Sequence, residues 1–256
     1  LEMFIYSFLV TSLSSIFALI IFSEHSSVVF PFLVTLALLP AMHKILKDQE
    51  RIEERFENLS FFERYKKILE IYTFFFLGVV FSVIFTMAFL PNNFCEKLFS
   101  DQISTINAIR NENIEIQGKY YSTYEDFLSI SYNNIKVLVI AFLLSFFFGS
   151  GALFILSWNA SVVGVFISLY AKILSDAYDK HILISHIEAF LSISLHGIPE
   201  VFGYFLGGIA GAVLSFGLVE GENRKIILCD SFKTLLVAIF FILLGAFLES
   251  FIVASL

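Results

Sequence analysis

The chain has 256 residues, 58% of them apolar and only 15% charged, with a mean hydropathy of +0.85. Soluble domains carry about 45–50% apolar and about 25% charged residues, so this composition excludes a water-covered surface and requires lipid around it. A net charge of −7, with 16 Lys and Arg spread among loops, excludes a nucleic-acid footprint. At about 20 residues per crossing, the length leaves room for about six to eight spans and little soluble mass.

Leu1-Glu2 reads as a cloning remnant and Met3 as the native start. Met3–Phe22 lacks a basic lead and a small-residue cleavage site, so it is expected as a retained helix. It pairs with Val28–Ala41 around the polar turn Ser23-Glu24-His25-Ser26, giving an N-terminal hairpin over residues 3–42. Residues 43–67 hold seven basic side chains: Lys44, Lys47, Arg51, Arg55, Arg64, Lys66 and Lys67. The positive-inside rule places this insertion in the cytoplasm. Ile45, Ile52, Phe56 and Leu59 recur at helical spacing and make it amphipathic. Ser60-Phe61-Phe62-Glu63 matches a capping box ahead of a third span, Leu69–Leu90, which Pro91 ends.

Residues 92–134 hold only Lys97, Arg110 and Lys119 and are expected outside as a loop, with a second capping box at Ser122-Thr123-Tyr124-Glu125. The remaining residues, 135–256, form a helical core. Ile135–Phe148 and Ala152–Leu174 flank a tight turn at Gly149-Ser150-Gly151. Ile182–Leu195 is short for a crossing and is read as a re-entrant or half-helix segment; Ile198–Val219 and Leu235–Leu256 are full spans. Arg224, Lys225 and Lys233 place the last loop inside, while Lys172 and Lys180 fall outside. The expected fold is an all-α polytopic transmembrane bundle of about six or seven spans. Cys95 and Cys229 then lie on opposite sides of the membrane, unsuited to a disulfide.

Small residues recur at every fourth position in Gly203, Gly207, Gly211 and Ser215. On a helix this makes one smooth stripe, which admits either another helix of the chain or the same helix of a second copy. His196-Gly197-Ile198-Pro199-Glu200 stands at the head of that stripe, with Pro199 in the expected first helical turn. Glu200 shares the glycine face, and His196 lies above it at i, i+4 if the helix extends back one turn. An ionisable group at this depth marks a functional site or a paired structural contact. Three readings stand open: a structural hydrogen bond, a gate or relay in a solute or proton path, and a metal or acid–base site that adds His186 and Glu188. The spacing matches no metalloprotease signature. Asn159 is expected to face the bundle, where a buried amide finds a partner, and Glu249 interrupts the last span. Phosphate-binding loops, dinucleotide fingerprints and nucleophile elbows are all missing from the sequence.

Asn133-Asn134 before an apolar span, then Gly149-Ser150-Gly151, Trp158-Asn159-Ala160 and Gly164, resemble the middle of stage II sporulation protein M-like membrane proteins. The stretch from His196-Gly197-Ile198-Pro199-Glu200 to Gly217 resembles the most distinctive part of that family, and the likeness covers residues 121–255. The family's asparagine is usually followed by glycine, where this chain has Ala160. The resemblance implies a multi-pass protein of the cell membrane without an established catalytic activity and without a cofactor. It also implies a scaffold role, with membrane or cell-envelope proteins, or a second copy of the chain, as partners. A transporter or channel, and an intramembrane metal-dependent hydrolase using His186, Glu188, His196 and Glu200, are the alternatives.

Overall fold

The computed structural model describes residues 1–55, 61–117, 123–220 and 224–254, and every regular element among them is a helix. In chain order they are α1 (Glu2–Ile21), α2 (Ser26–Arg55), α3 (Phe61–Phe89), α4 (Asn92–Leu98), α5 (Ser100–Gln117), α6 (Thr123–Phe148), α7 (Ala152–Tyr178), α8 (Ile182–Glu220) and α9 (Arg224–Ala254). Seven of these, all but α4 and α5, are long and apolar enough to cross a membrane. Exposed Leu13, Phe89, Phe147 and Phe240 show the outward apolar surface that lipid covers. Ser60, Phe56, Leu59 and Ser122 lie outside the described residues, and with them parts of both expected capping boxes and of the amphipathic stripe.

The helices group into two compact units. The first comprises Leu1–Ala37, Phe74–Ser122 and Ser157–Leu195. Here α1 runs parallel to α3, with Phe4 edge-on to Phe81 at 5.6 Å and Phe8 edge-on to Phe85 at 5.7 Å. Gly78 makes the approach feasible, because a Cβ there would lie 2.6 Å from the carbonyl oxygen of Phe4. Ser12 and Ser82 share a hydrogen bond of 2.9 Å between the same two helices. Gly164 of α7 does for α3 what Gly78 does for α1: its Cβ would sit 3.0 Å from the Val80 carbonyl.

The expected outer loop is largely helical, since α4 and α5 fill its first part and α6 begins at Thr123. Polar composition hid this, because hydropathy reports depth rather than helix content. The layer is tied down by buried polar bonds. Gln102, with no exposed surface, donates from Nε2 to the Ser27 carbonyl at 3.0 Å and to Ser161 Oγ at 3.1 Å. Ser27 donates to the Asp101 carboxylate. Phe99 packs edge-on against Phe30 at 5.6 Å. Cys95 is buried in α4 and Cys229 is exposed in α9; both are free thiols.

The second unit comprises Leu38–Thr73, Thr123–Leu156 and His196–Leu256. Its axis is α8, buried continuously from Gly203 to Val213. The stripe faces helices of this chain. Gly203 meets α9, where its Cβ would lie 2.8 Å from Ile242, and Gly207 meets Leu138 of α6. Gly211 meets α6 more closely, with the Phe142 carbonyl in the way and the Phe146 amide nitrogen at 3.0 Å. Ser215 is half-buried. Ser231 of α9 donates to the Ala210 carbonyl of α8 at 2.8 Å, and Tyr72 of α3 packs edge-on to Phe205 at 5.5 Å. The turn between α6 and α7 uses Gly149 at φ +70, with the Ala152 amide donating to Ser145 Oγ at 3.0 Å.

The structure corrects two expectations about α8. Residues 182–195 are neither re-entrant nor a half-helix, and Pro199 does not open a helix: α8 is continuous and Pro199 lies inside it. Proline leaves the carbonyl four residues back without its donor and costs about 3 kcal/mol in an exposed helix. Among apolar neighbours, unwinding would free several more backbone groups into hydrocarbon, which costs more.

Two measurements follow from this packing. Gly211→Val should destabilise by about 3 kcal/mol, because its side chain strikes backbone that cannot turn aside. Gly197→Ala, where a Cβ meets nothing within 4 Å, should stabilise by about 0.5–1 kcal/mol through the lower entropy of the unfolded chain. Thermal unfolding in one detergent compares the two. Burial pushes the Cys95 thiol above its ordinary pKa, and the Glu96 carboxylate adds to the shift. Less thiolate at neutral pH then joins poor access, so maleimide should label Cys229 well before Cys95 in the folded protein; mass spectrometry reads the order.

Candidate functional site among α6, α8 and α9

In α8 the spacing of four residues aligns His196, Glu200 and Tyr204 on one side, each about one turn from the next. From α6 come Ser131 and Asn134, three residues apart on one face, and from α9 come Gly245 and Glu249, one turn apart. All seven belong to the second unit.

Asn134 joins α6 to α8 through both ends of its amide. Its Nδ2 donates to Glu200 Oε1 at 2.6 Å, and its Oδ1 accepts from the Tyr204 hydroxyl at 2.9 Å. An amide serves both partners, whereas an ionised carboxylate in its place has no proton to give. Asn134 is 8% exposed and Tyr204 4%. Gly245 explains why Glu200 lies across α9. A Cβ at that position would run into the Glu200 side chain, with Oε1 at 3.2 Å and the His196 carbonyl at 3.0 Å. Glu249, half-buried and one turn further along the same face, lies within electrostatic reach of Glu200 and Tyr204.

The arrangement differs from the expected His196–Glu200 pair. Glu200 takes its hydrogen bond from Asn134, and His196 Nδ1 is buried without a partner. Ser131 Oγ is also buried and unpartnered. Neither Glu200 nor Glu249 has an ion pair among the described residues, where the bridges are Lys180–Glu188 and Lys233–Asp230.

The other sequence candidates, His186, Glu188 and Asn159, belong to the first unit. His186 Nδ1 bonds the Ile182 carbonyl of its own helix at 2.8 Å. Glu188 receives Lys180 Nζ on both oxygens at 2.8 Å, across the α7–α8 turn where Asp179 adopts φ 50. Asn159 is half-buried in α7 and has an interaction partner. No group of three or more His, Cys, Asp or Glu side chains among the described residues has metal-site geometry.

Sequence reasoning missed Tyr204, Ser131 and Gly245. The first two follow helical spacing from residues already in view: Tyr204 is one turn beyond Glu200, and Ser131 one turn before Asn134. Gly245 stands one turn before Glu249, and a glycine at that distance from an intramembrane acid signals a close approach.

The two bonds of Asn134 should differ in weight. Interhelical hydrogen bonds in membranes average about 0.6 kcal/mol, so Tyr204→Phe should cost about that much. Asn134→Ala leaves a carboxyl group and a phenol both unpaired and should cost about 2 kcal/mol or more. Unfolding of both variants in detergent checks the order, and equal losses would contradict it.

Comparison with curated proteins and with solved structures finds no match. A family model described as stage II sporulation protein M matches residues 71–254, which contain the greater part of α3, all of α4 to α9, and every residue of the cluster. The chain is a membrane protein of the stage II sporulation protein M family.

Proposed function

We propose that the chain is a non-enzymatic scaffold or assembly factor, crossing the cell membrane seven times and holding membrane or cell-envelope proteins through its extramembrane surfaces. The observation that carries this reading is the α4–α5 layer. A mere connector between α3 and α6 needs no anchoring, yet this one is pinned by a fully buried Gln102 bonded to both Ser27 and Ser161. The pinned layer presents Ser104 and Asn107 outward. An ordered polar platform of this kind suits docking, because a partner binding it does not pay to order a loop.

The remaining supports are charge and family. The basic residues of 43–67 and 224–233 favour a cytoplasmic position for both, which leaves α4 and α5 outside. The family's name links one member to sporulation; for this chain we take over only the membrane role.

Photoactivatable side chains at Ser104 and Asn107 should capture protein in native membranes, whereas one at lipid-facing Phe240 should capture almost none. Equal capture at the three positions, or none at Ser104 and Asn107, would count against the scaffold.

A further inference from the structure

We propose that Glu200, Glu249 and Ser131 form a binding site for a small monovalent cation of the Na+ class within the α6–α8–α9 bundle.

Charge is the first ground. A carboxylate removed from water is tolerated when it is paired. Glu200 and Glu249 come from neighbouring helices into one space, because Gly245 gives Glu200 room against α9 and Glu249 follows one turn along that face. Two lysines of these helices are engaged elsewhere, and the cluster's own base, His196, makes no ion pair among the described residues. Lys136 of α6 sits over the exposed Tyr132 ring at 4.1 Å, and Lys233 of α9 bridges Asp230 at 3.3 Å. A bound cation fills the place that a lysine or arginine would take.

Ser131 supplies the second ground. Serine and threonine within apolar helices ordinarily satisfy their hydroxyls on the carbonyl one turn back, as Thr35, Thr73, Thr86 and Ser168 do here. Ser131 is 5% exposed and makes no such bond; Thr11, Ser15, Ser157 and Ser185 also make none, but they belong to the first unit. On α6 it lies between Phe127, whose ring meets Phe247 of α9 at 6.5 Å, and Asn134, which reaches Glu200 of α8. Its face is thus directed at α8 and α9, and its oxygen has a free lone pair for a ligand.

Donor chemistry selects the class. Carboxylate and hydroxyl oxygens favour hard cations. No group of three or more His, Cys, Asp or Glu side chains among the described residues has the geometry a transition metal takes, and Ca2+ asks for six to eight oxygens. A singly charged ion with modest coordination fits what is present. It would tie α8 to α9 as Asn134 ties α6 to α8. Binding is what the geometry carries; passage across the membrane is a separate matter.

The purified full chain in detergent tests this by thermal unfolding, at constant pH and constant ionic strength, with NaCl exchanged for choline chloride. The wild type should gain about 5 °C or more on saturation with Na+. Glu249→Gln should lose that gain, Ser131→Ala should raise the half-saturating Na+ concentration by roughly tenfold, and Glu188→Gln should respond as wild type does. If Glu249→Gln fails to fold, Ser131→Ala and equilibrium binding of radioactive Na+ to the wild type decide the matter. Indifference to Na+ overturns the site. So does a stability that follows pH alone, which assigns a proton to the carboxyls, and so does an unchanged Na+ response in both cluster variants.

Discussion

Hydrocarbon offers a peptide group no partner, so a helix that enters it must bond to itself until it leaves. Much of this chain follows from that constraint. It keeps α8 continuous through Pro199, where water would have rewarded a break. It turns the hydroxyls of Thr35, Thr73, Thr86 and Ser168 back onto their own helices. It also makes each polar side chain that reaches across to another helix a commitment, since a lost partner is not replaced by water.

Attraction between such helices cannot come from the hydrophobic effect, because lipid tails are as apolar as leucine. Dispersion takes over, and it rewards only close approach. Glycine provides the approach at Gly78, Gly164, Gly203, Gly207 and Gly211. The stripe glycines of α8 are divided between two neighbours: Gly203 receives α9, while Gly207 and Gly211 receive α6. Gly245 belongs to a different class. It makes room for a carboxyl side chain, and so builds the polar cluster rather than the packing.

What could be read in the sequence was what periodicity and hydropathy encode: spans, the glycine face, and the acid at Glu200. Depth signals cannot see helices in polar segments, which hid α4 and α5. Local rules for proline are calibrated in water, which suggested a helix start at Pro199. Asn134 stood out only as the opening of an apolar span. Its role depends on α6 running beside α8 in a register that brings residue 134 level with 200 and 204, and no local pattern states that register. Helical spacing likewise aligned His196 with Glu200, but a tertiary partner took the carboxyl's hydrogen bond.

The parallel pairing of α1 with α3 has a consequence for biogenesis. The hydrogen bond between Ser12 and Ser82 joins residues 70 apart in the chain. At synthesis rates of about 5–20 residues per second, α1 exists for about 4–14 seconds before its partner has been made. Through that interval its face of Ser7, Thr11, Ser14 and Ser15, buried in the finished protein, has no neighbour from α3. Insertion machinery or a chaperone in the membrane must shelter that face, or α1 must wait at the interface until α3 arrives.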